Sequence, residues 1–278
     1  MSFYPQPNLY QCGPFALKHA LVMLGVFKNE DEIGITAGST WWAGTDELGL
    51  AKAAKKYNCR MKYFQSSNPD DARRALNKEL QKGFPCVLSV NNWGHWLTVV
   101  NYTRGRYVVI DSEDDKVISI NTPQQILRAW RYKDADEGII SYDGYALHPN
   151  FKTYTRAKFK LDMAKKLMYK ENDRLAKKWD QYFNDLISVC RPRTKLTTNF
   201  ITFSEFLRRN EKNLVTRIAN WHGMPAYSEI KKILYNMKFV ADVYDLIIPI
   251  DLEKKALIDI SSLLMMYSCG KYGMDPIY

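Results

Sequence analysis

Two apolar runs near the middle of the chain most narrow the folds open to it. Residues 95–102 (HWLTVVNY) and 106–111 (RYVVID) are separated only by Thr103, Arg104 and Gly105, a connection of hairpin length. A third run, residues 84–90 (FPCVLSV), precedes them across the turn-rich segment NNWG. Strands this close together pair antiparallel, because a parallel pair needs a crossover of a dozen or more residues. Further strands are expected near 60–64, 117–120 and 138–148, and helices over 45–57, 69–82 and 123–130. A helix is also expected over 12–24, where Ala16, Leu17, Ala20, Leu21 and Leu24 recur at helical spacing. Pro14 falls in its first turn, where a missing N–H costs nothing, and Gly25 supplies the stop. A leading helix followed by an antiparallel sheet is an α+β arrangement, not alternating βαβ.

Around Pro149 the texture changes. Residues 157–190 form a long, Lys-rich amphipathic stretch expected to make one or two helices, and 203–220, 227–240 and 252–267 also read as helices. With 278 residues the chain has length for two ordinary domains. The expected division is 1–150, α+β, and 151–278, basic and mostly α-helical. Charge follows the same line. Residues 1–150 carry 17 Lys and Arg against 16 Asp and Glu, whereas 151–278 carry 23 against 14. Lys165, Lys166, Lys170, Arg174, Lys177 and Lys178 recur at intervals of three or four, as a phosphate-binding face would require. Asp162, Glu171, Asp173 and Asp180 are interleaved among them, which favours a salt-bridged solvent face over nucleic-acid binding. The helical half is instead expected to recruit a protein partner or to gate the cleft of the first.

The five cysteines are odd in number, widely spaced and without a Cys-x-x-Cys pair, so neither a disulfide framework nor a structural zinc site is indicated. Reduced thiols in the cytoplasm fit best. No basic segment followed by an apolar stretch opens the chain, only 11 residues precede Cys12, leaving no expected propeptide, and no apolar run has the length of a membrane span.

One constellation carries chemistry. Cys12 opens the first helix, where partial positive charge stabilises a thiolate and free N–H groups face an oxyanion. His95 follows Trp93-Gly94 and opens a strand; Asp111 ends the next one, 16 residues later. A hairpin sets both at neighbouring strand ends, where the acid can fix the tautomer of the base. Gln6 is the candidate to complete an oxyanion hole, with Gln11 as its competitor. A cysteine alone is more often a small core residue, a histidine alone more often structural, and Asp111 could merely cap a turn with Ser112 and Glu113, with Asp114 as substitute acid. It is their combination that favours a thiol enzyme. Trp42, Trp93 and Gly94 are expected to border the substrate, Trp41 and Trp96 lying nearby. Cys59, Cys86, Cys190 and Cys269 have no base in view, and neither His148 nor His222 has a supporting pattern. The chemistry calls for no metal or organic cofactor.

Three stretches carry a family resemblance. QPNLYQCGPFALKHALVMLG resembles the start of bacteriocin-processing peptidases, the C39 group of papain-like cysteine peptidases, with a Gln, five residues, Cys-Gly and a helix ending in Gly. AGTDELGLAKAAKKYNCRMKYF resembles their next segment, and LQKGFPCVLSVNNWGHWLTVVNYTRGRYVVIDSE their His–Asp region. The resemblance covers about residues 5–148. It implies a papain-like fold with Cys12, His95, Asp111 and Gln6 in their usual roles. Two positions depart from the pattern: Ser112 follows the acid where Pro is common, and Gln11 precedes the nucleophile where Asp is common. The membrane and ATPase domains of transporter-fused members are also missing, so their double-glycine leader is not carried over as substrate. The expected function is hydrolysis of a peptide or protein by a Cys-His-Asp triad. The rivals are an acyltransferase or transglutaminase-like enzyme using the same triad, and an inactive papain-like scaffold with a basic binding module.

Overall fold

A computed structural model describes residues 1–169, 172–220 and 225–269, and no side chain beyond Ser268. Lys170, Glu171, His222 and the Cys269 side chain lie outside the described residues. The chain divides into two compact units, 1–178 and 179–278.

The first unit opens with α1 (Cys12–Met23), α2 (Glu30–Ala37) and α3 (Glu47–Lys56). It continues with β1 (Cys59–Ser66), α4 (Pro69–Gln81), β2 (Cys86–Val90), β3 (His95–Thr103), β4 (Arg106–Ile110) and β5 (Ile118–Asn121). Then come α5 (Pro123–Trp130), β6 (Tyr132–Lys133), β7 (Ile140–Pro149), α6 (Leu161–Leu167) and α7 (Asp173–Lys177). The strands pair antiparallel in the order β1-β7-β2-β3-β4-β5, with β6 on β7. The α+β expectation is therefore met.

Side chains alternate across the sheet with period 2, and both faces are covered. On one face Val87, Trp96 and Leu147 join Ala16, Leu17, Ala20 and Leu21 of α1 and Leu50, Ala53 and Ala54 of α3. On the other, Leu88, Leu97, Val99 and Val109 meet Leu76 and Leu80 of α4 and Ile126 and Trp130 of α5. That is why residues 84–90 and 95–99 read as nearly continuous apolar runs. Each fully buried Leu or Val contributes roughly 1.5–3 kcal/mol. The Thr98 hydroxyl donates to the Ala16 carbonyl at 2.7 Å, pinning α1 to β3.

Sequence periodicity did not reveal α2. Its sequence EDEIGITA buries only Ile33 and Ala37, so its apolar stripe is too thin to register. Its signals are at the ends: Asn29 accepts from the Asp31 N–H, Glu30, Asp31 and Glu32 fill the first turn, and Gly38 closes it at φ +73°.

The boundary expected near residue 150 falls at Lys178 instead. The Ala157 N–H donates to the Met23 carbonyl at 2.8 Å, and Asn101 Nδ2 donates to the Phe159 carbonyl at 2.6 Å. The Ser2 and Phe3 N–H groups reach the Lys177 and Ala176 carbonyls at 3.1 Å each. Phe159 is buried. The Lys-rich character of this stretch hid a strap that belongs to the first unit. Lys165 and Lys166 lie on α6 and Lys177 on the separate helix α7.

The second unit comprises α8 (Trp179–Val189), β8 (Arg191–Pro192), β9 (Phe200–Thr202), α9 (Phe203–Ala219), α10 (Tyr227–Val243), β10 (Leu246–Pro249) and α11 (Glu253–Cys269). It is mostly helical, as expected, with a small antiparallel sheet ordered β8-β10-β9. Phe203, Phe206 and Tyr244 are buried, and the Trp179 indole N–H donates to the Tyr244 hydroxyl at 3.1 Å.

Candidate active site

Cys12 is the first residue of α1 and is buried. Gln11, the residue before it, makes no side-chain cap, so the first N–H groups of α1 carry no cap from that residue. A Cβ at Gly13 would meet Thr45 Cβ at 2.8 Å. The glycine after the nucleophile candidate is thus required by the close approach of the loop entering α3.

His95 is the first residue of β3, and Asp111 directly follows the last residue of β4. His95 Nε2 and Asp111 Oδ1 are 2.7 Å apart. Asp111 also caps its own turn, accepting from the Glu113 N–H at 3.0 Å. The carboxylate thus makes both contacts, one to the turn and one to the ring. With Nε2 committed to Asp111, Nδ1 is the nitrogen left for the Cys12 thiol, which is near enough to help raise the His95 pKa. Burial by itself would lower the His95 pKa. Hydrogen bonds to Asp111 and Cys12, with the negative charge of both, outweigh it and raise the value to about 10. Glu113 Oε2 stands 3.6 Å from Nδ1 and is half exposed. Burial, then the carboxylates of Asp111 and Glu113, push Asp114 up, and Asp111 is the acid bonded to the ring.

Gln6 ties its segment to the acid turn. Its N–H donates to the Ser112 carbonyl at 2.8 Å, and its Oε1 accepts from the Ser112 hydroxyl at 2.7 Å. Its Nε2 donates to the Asn8 and Leu9 carbonyls at 3.1 and 3.2 Å. Ser112, which stands where the family pattern commonly has Pro, thus supplies the hydroxyl that holds Gln6. Gln11 Oε1 accepts from Asn8 Nδ2 at 3.3 Å.

A cavity of about 350 Å³ is lined by Ala43, Thr45, Asp46, Glu47, Tyr63 and Ser89 together with Trp93, Trp96, Asp143 and Tyr145, and its Thr45 abuts Gly13, the residue after Cys12. Trp93 is in the lining; Trp42 and Gly94 are outside it. Trp42 packs edge-to-face with Trp41, both strongly exposed. The Gly94 N–H closes the 91–94 turn onto the Asn91 carbonyl. Trp93 takes φ +64°, a costly conformation for a bulky residue. It is held there by stacking on Tyr132 at 3.7 Å and by an indole hydrogen bond to Asp143 at 3.0 Å. Asp143 escaped sequence reading, although its place inside the strand run ISYDGYAL was a signal: a charged residue on a strand buried on both faces needs a reason.

Burial pushes the other described thiols up, Cys59 to about 11, Cys190 to about 12 and Cys86 well above its ordinary value. Among the described residues, His95, Asp111 and Glu113 are the group close enough to share a cation, and the His95 ring is engaged with Asp111 and Cys12. No helix among the described residues is long and apolar enough to cross a membrane.

A thiol at a helix start, with an imidazole and a carboxylate at the ends of neighbouring antiparallel strands, is the arrangement a papain-like cysteine peptidase fold calls for. Residues 1–131 match the model of the Peptidase C39 family, so the resemblance drawn from three sequence stretches is borne out. No curated protein sequence matches. Among solved structures, the chain is similar to the peptidase domain of Streptococcus ComA, a bi-functional ABC transporter involved in a quorum sensing pathway. That match has 16% identity over 53% of this chain and 98% of the other, with a TM-score of 0.41. It is also similar to a double glycine motif protease from an AMS/PCAT transporter, solved in complex with the leader peptide (20% identity, 51% and 89% covered, TM-score 0.39). A C39-like peptidase from Bacillus anthracis matches at 14% identity, with 54% and 95% covered and a TM-score of 0.39.

Proposed function

We propose that this protein is a cysteine peptidase that hydrolyses a peptide or protein substrate, with Cys12 as nucleophile, His95 as acid and base, and Asp111 as the group that orients the ring. The observation that carries this reading is the His95 imidazole bonded to the Asp111 carboxylate at 2.7 Å, with its pKa raised further by the Cys12 thiol at the start of α1. The Cys12 thiolate attacks the scissile carbonyl, and the oxyanion is met by the Cys12 N–H and a glutamine amide. His95 protonates the leaving amine, then takes a proton from the water that releases the acyl-enzyme. Gln6 supplies the amide once its Nε2 leaves the Asn8 and Leu9 carbonyls; Gln11 is the competing donor. Trp42, Trp93 and Gly94 border the substrate. Free, buried thiols at Cys59, Cys86 and Cys190 suit work in the reducing cytoplasm, and the second unit recruits substrate or gates the cleft.

Limiting iodoacetamide across pH 5 to 9, with mass-spectrometric mapping of the modified cysteine, tests this reading. Cys12 is expected to alkylate first and to stay reactive well below the ordinary thiol pKa of about 8.5. His95→Ala should abolish the low-pH reactivity. Equal labelling of Cys12 and Cys190 would overturn the assignment.

A further inference from the structure

The cavity lined by Thr45, which abuts Gly13, has an unusual chemistry. Three of its ten lining residues are carboxylates, Asp46, Glu47 and Asp143, and none is Lys or Arg. None of the three has a cationic partner among the described residues. Asp46 Oδ1 caps the Gly49 N–H. Glu47 is exposed and makes no hydrogen bond or ion pair among the described residues, and its charge reaches Tyr63 and Tyr145.

Asp143 is the informative member. It is only 7% exposed, yet its oxygens are met by neutral donors alone: the Tyr63 hydroxyl at 2.5 Å, the Trp93 indole at 3.0 Å and the Ser141 hydroxyl at 2.6 Å. A buried carboxylate normally has a countercharge, and this one faces an open cavity instead. The remaining wall is aromatic. Tyr63 lies 5.1 Å from Tyr145, and Tyr145 lies 5.9 Å from Trp96, centroid to centroid. Aromatic faces with carboxylates and no competing cation make a receptor for ammonium or guanidinium. The place is also telling. Thr45 abuts Gly13, next to Cys12, and Trp96 follows His95 in sequence and shares a core cluster with Cys12.

We propose that this cavity is a specificity pocket that takes the cationic side chain, Lys or Arg, of a peptide substrate close to the bond that is cut. The assignment of substrate class rests on the peptidase reading above, whereas the binding itself does not. The pocket contributes charge recognition from Asp143 at its base and Glu47 at its exposed edge, with the indoles and phenols covering the aliphatic stem and cationic head.

The full chain carrying Cys12→Ala, titrated with acetyl-Ala-Arg-Ala-amide and its neutral citrulline counterpart at millimolar concentration and followed by the indole N–H resonances, tests the pocket without requiring catalysis. The arginine peptide should shift the Trp93 and Trp96 signals and bind at least about tenfold more tightly than the citrulline peptide. Added Glu47→Gln should weaken it by about three- to fivefold, and Asp143→Asn should erase the preference. Equal binding of the two peptides, no binding of either, or an unchanged preference in both Glu47→Gln and a folded Asp143→Asn would overturn the inference. The alkylation experiment separates the two failures. A reactive Cys12 without charge preference removes only the pocket, and charge preference with an inert Cys12 leaves a cation-binding pocket without the chemistry.

Discussion

At the scale of single residues, position and partner give the same amino acid different properties. Four described cysteines are free and buried, but only Cys12 begins a helix beside a histidine. His95 and His19 differ as sharply. Burial would lower the His95 pKa, but its bonds to Asp111 and Cys12 outweigh this and carry it to about 10. The sign follows: this raised pKa contributes stability present in full below about 6.5 and lost as pH rises through about 10. His19 is fully buried, its ring nitrogens lack hydrogen-bond partners and it packs against Phe3 and Phe15. Burial, then the charge of Lys18, lowers its pKa to about 3. The unfolded chain therefore binds a proton that the folded one refuses, and stability falls as pH drops from about 6.5 toward 3. Denaturant titrations at pH 4 and 7 should show that loss in the native chain and less of it in His19→Phe. For catalysis, Asp111→Asn should lower kcat by roughly 10³–10⁴. Gln6→Ala should cost about 10²–10³; if Gln11→Ala alone costs that much, Gln11 is the oxyanion donor. Both are read from steady-state kinetics on a cleaved peptide.

At the scale of elements, the site depends on how α1 meets its neighbours. Gly13→Ala forces a Cβ to within 2.8 Å of Thr45 Cβ, and overpacking of this kind costs roughly 1–3 kcal/mol. Because the displaced atoms lie beside Cys12, the alkylation rate of Cys12 should fall along with the melting temperature. Thr98→Val keeps the shape but orphans the Ala16 carbonyl as acceptor of that bond. It should destabilise by about 0.5–1.5 kcal/mol, measured by urea unfolding, while leaving the His95–Asp111 pair intact. The hairpin formed by β3 and β4 was plain in the sequence, since its apolar runs and its Thr-Arg-Gly connection are local features. The helix α2 was not, because two buried side chains make no detectable period.

At the scale of the whole molecule, the unit boundary matters most. A chain ending at Asn150 would lose Phe159, Leu167 and Leu175 from buried positions, together with the backbone bonds from Ser2, Phe3 and Ala157. It should melt well below a chain ending at Lys178, or fail to fold, in differential scanning calorimetry; equal melting temperatures would show the strap to be dispensable.

The amino-acid sequence by itself determined the parts that rest on short-range order. These are the helix that presents Cys12, the strand that opens at His95 and the one that leads into Asp111, the α+β order of the first unit and the helical character of the second. Each is written in the spacing of apolar residues and in Gly, Pro and Asn punctuation, which act over a few neighbours. Tertiary structure alone decided that Gln6 is tied to Ser112, that residues 157–177 pack on the first unit, and that Asp143 lies buried among Tyr63, Trp93 and Ser141. Apart from the local Ser141–Asp143 bond, those pairings join positions 50 to more than 100 residues apart. Their energies come from contacts that exist only once the sheet has brought its strands together, and no local pattern records them.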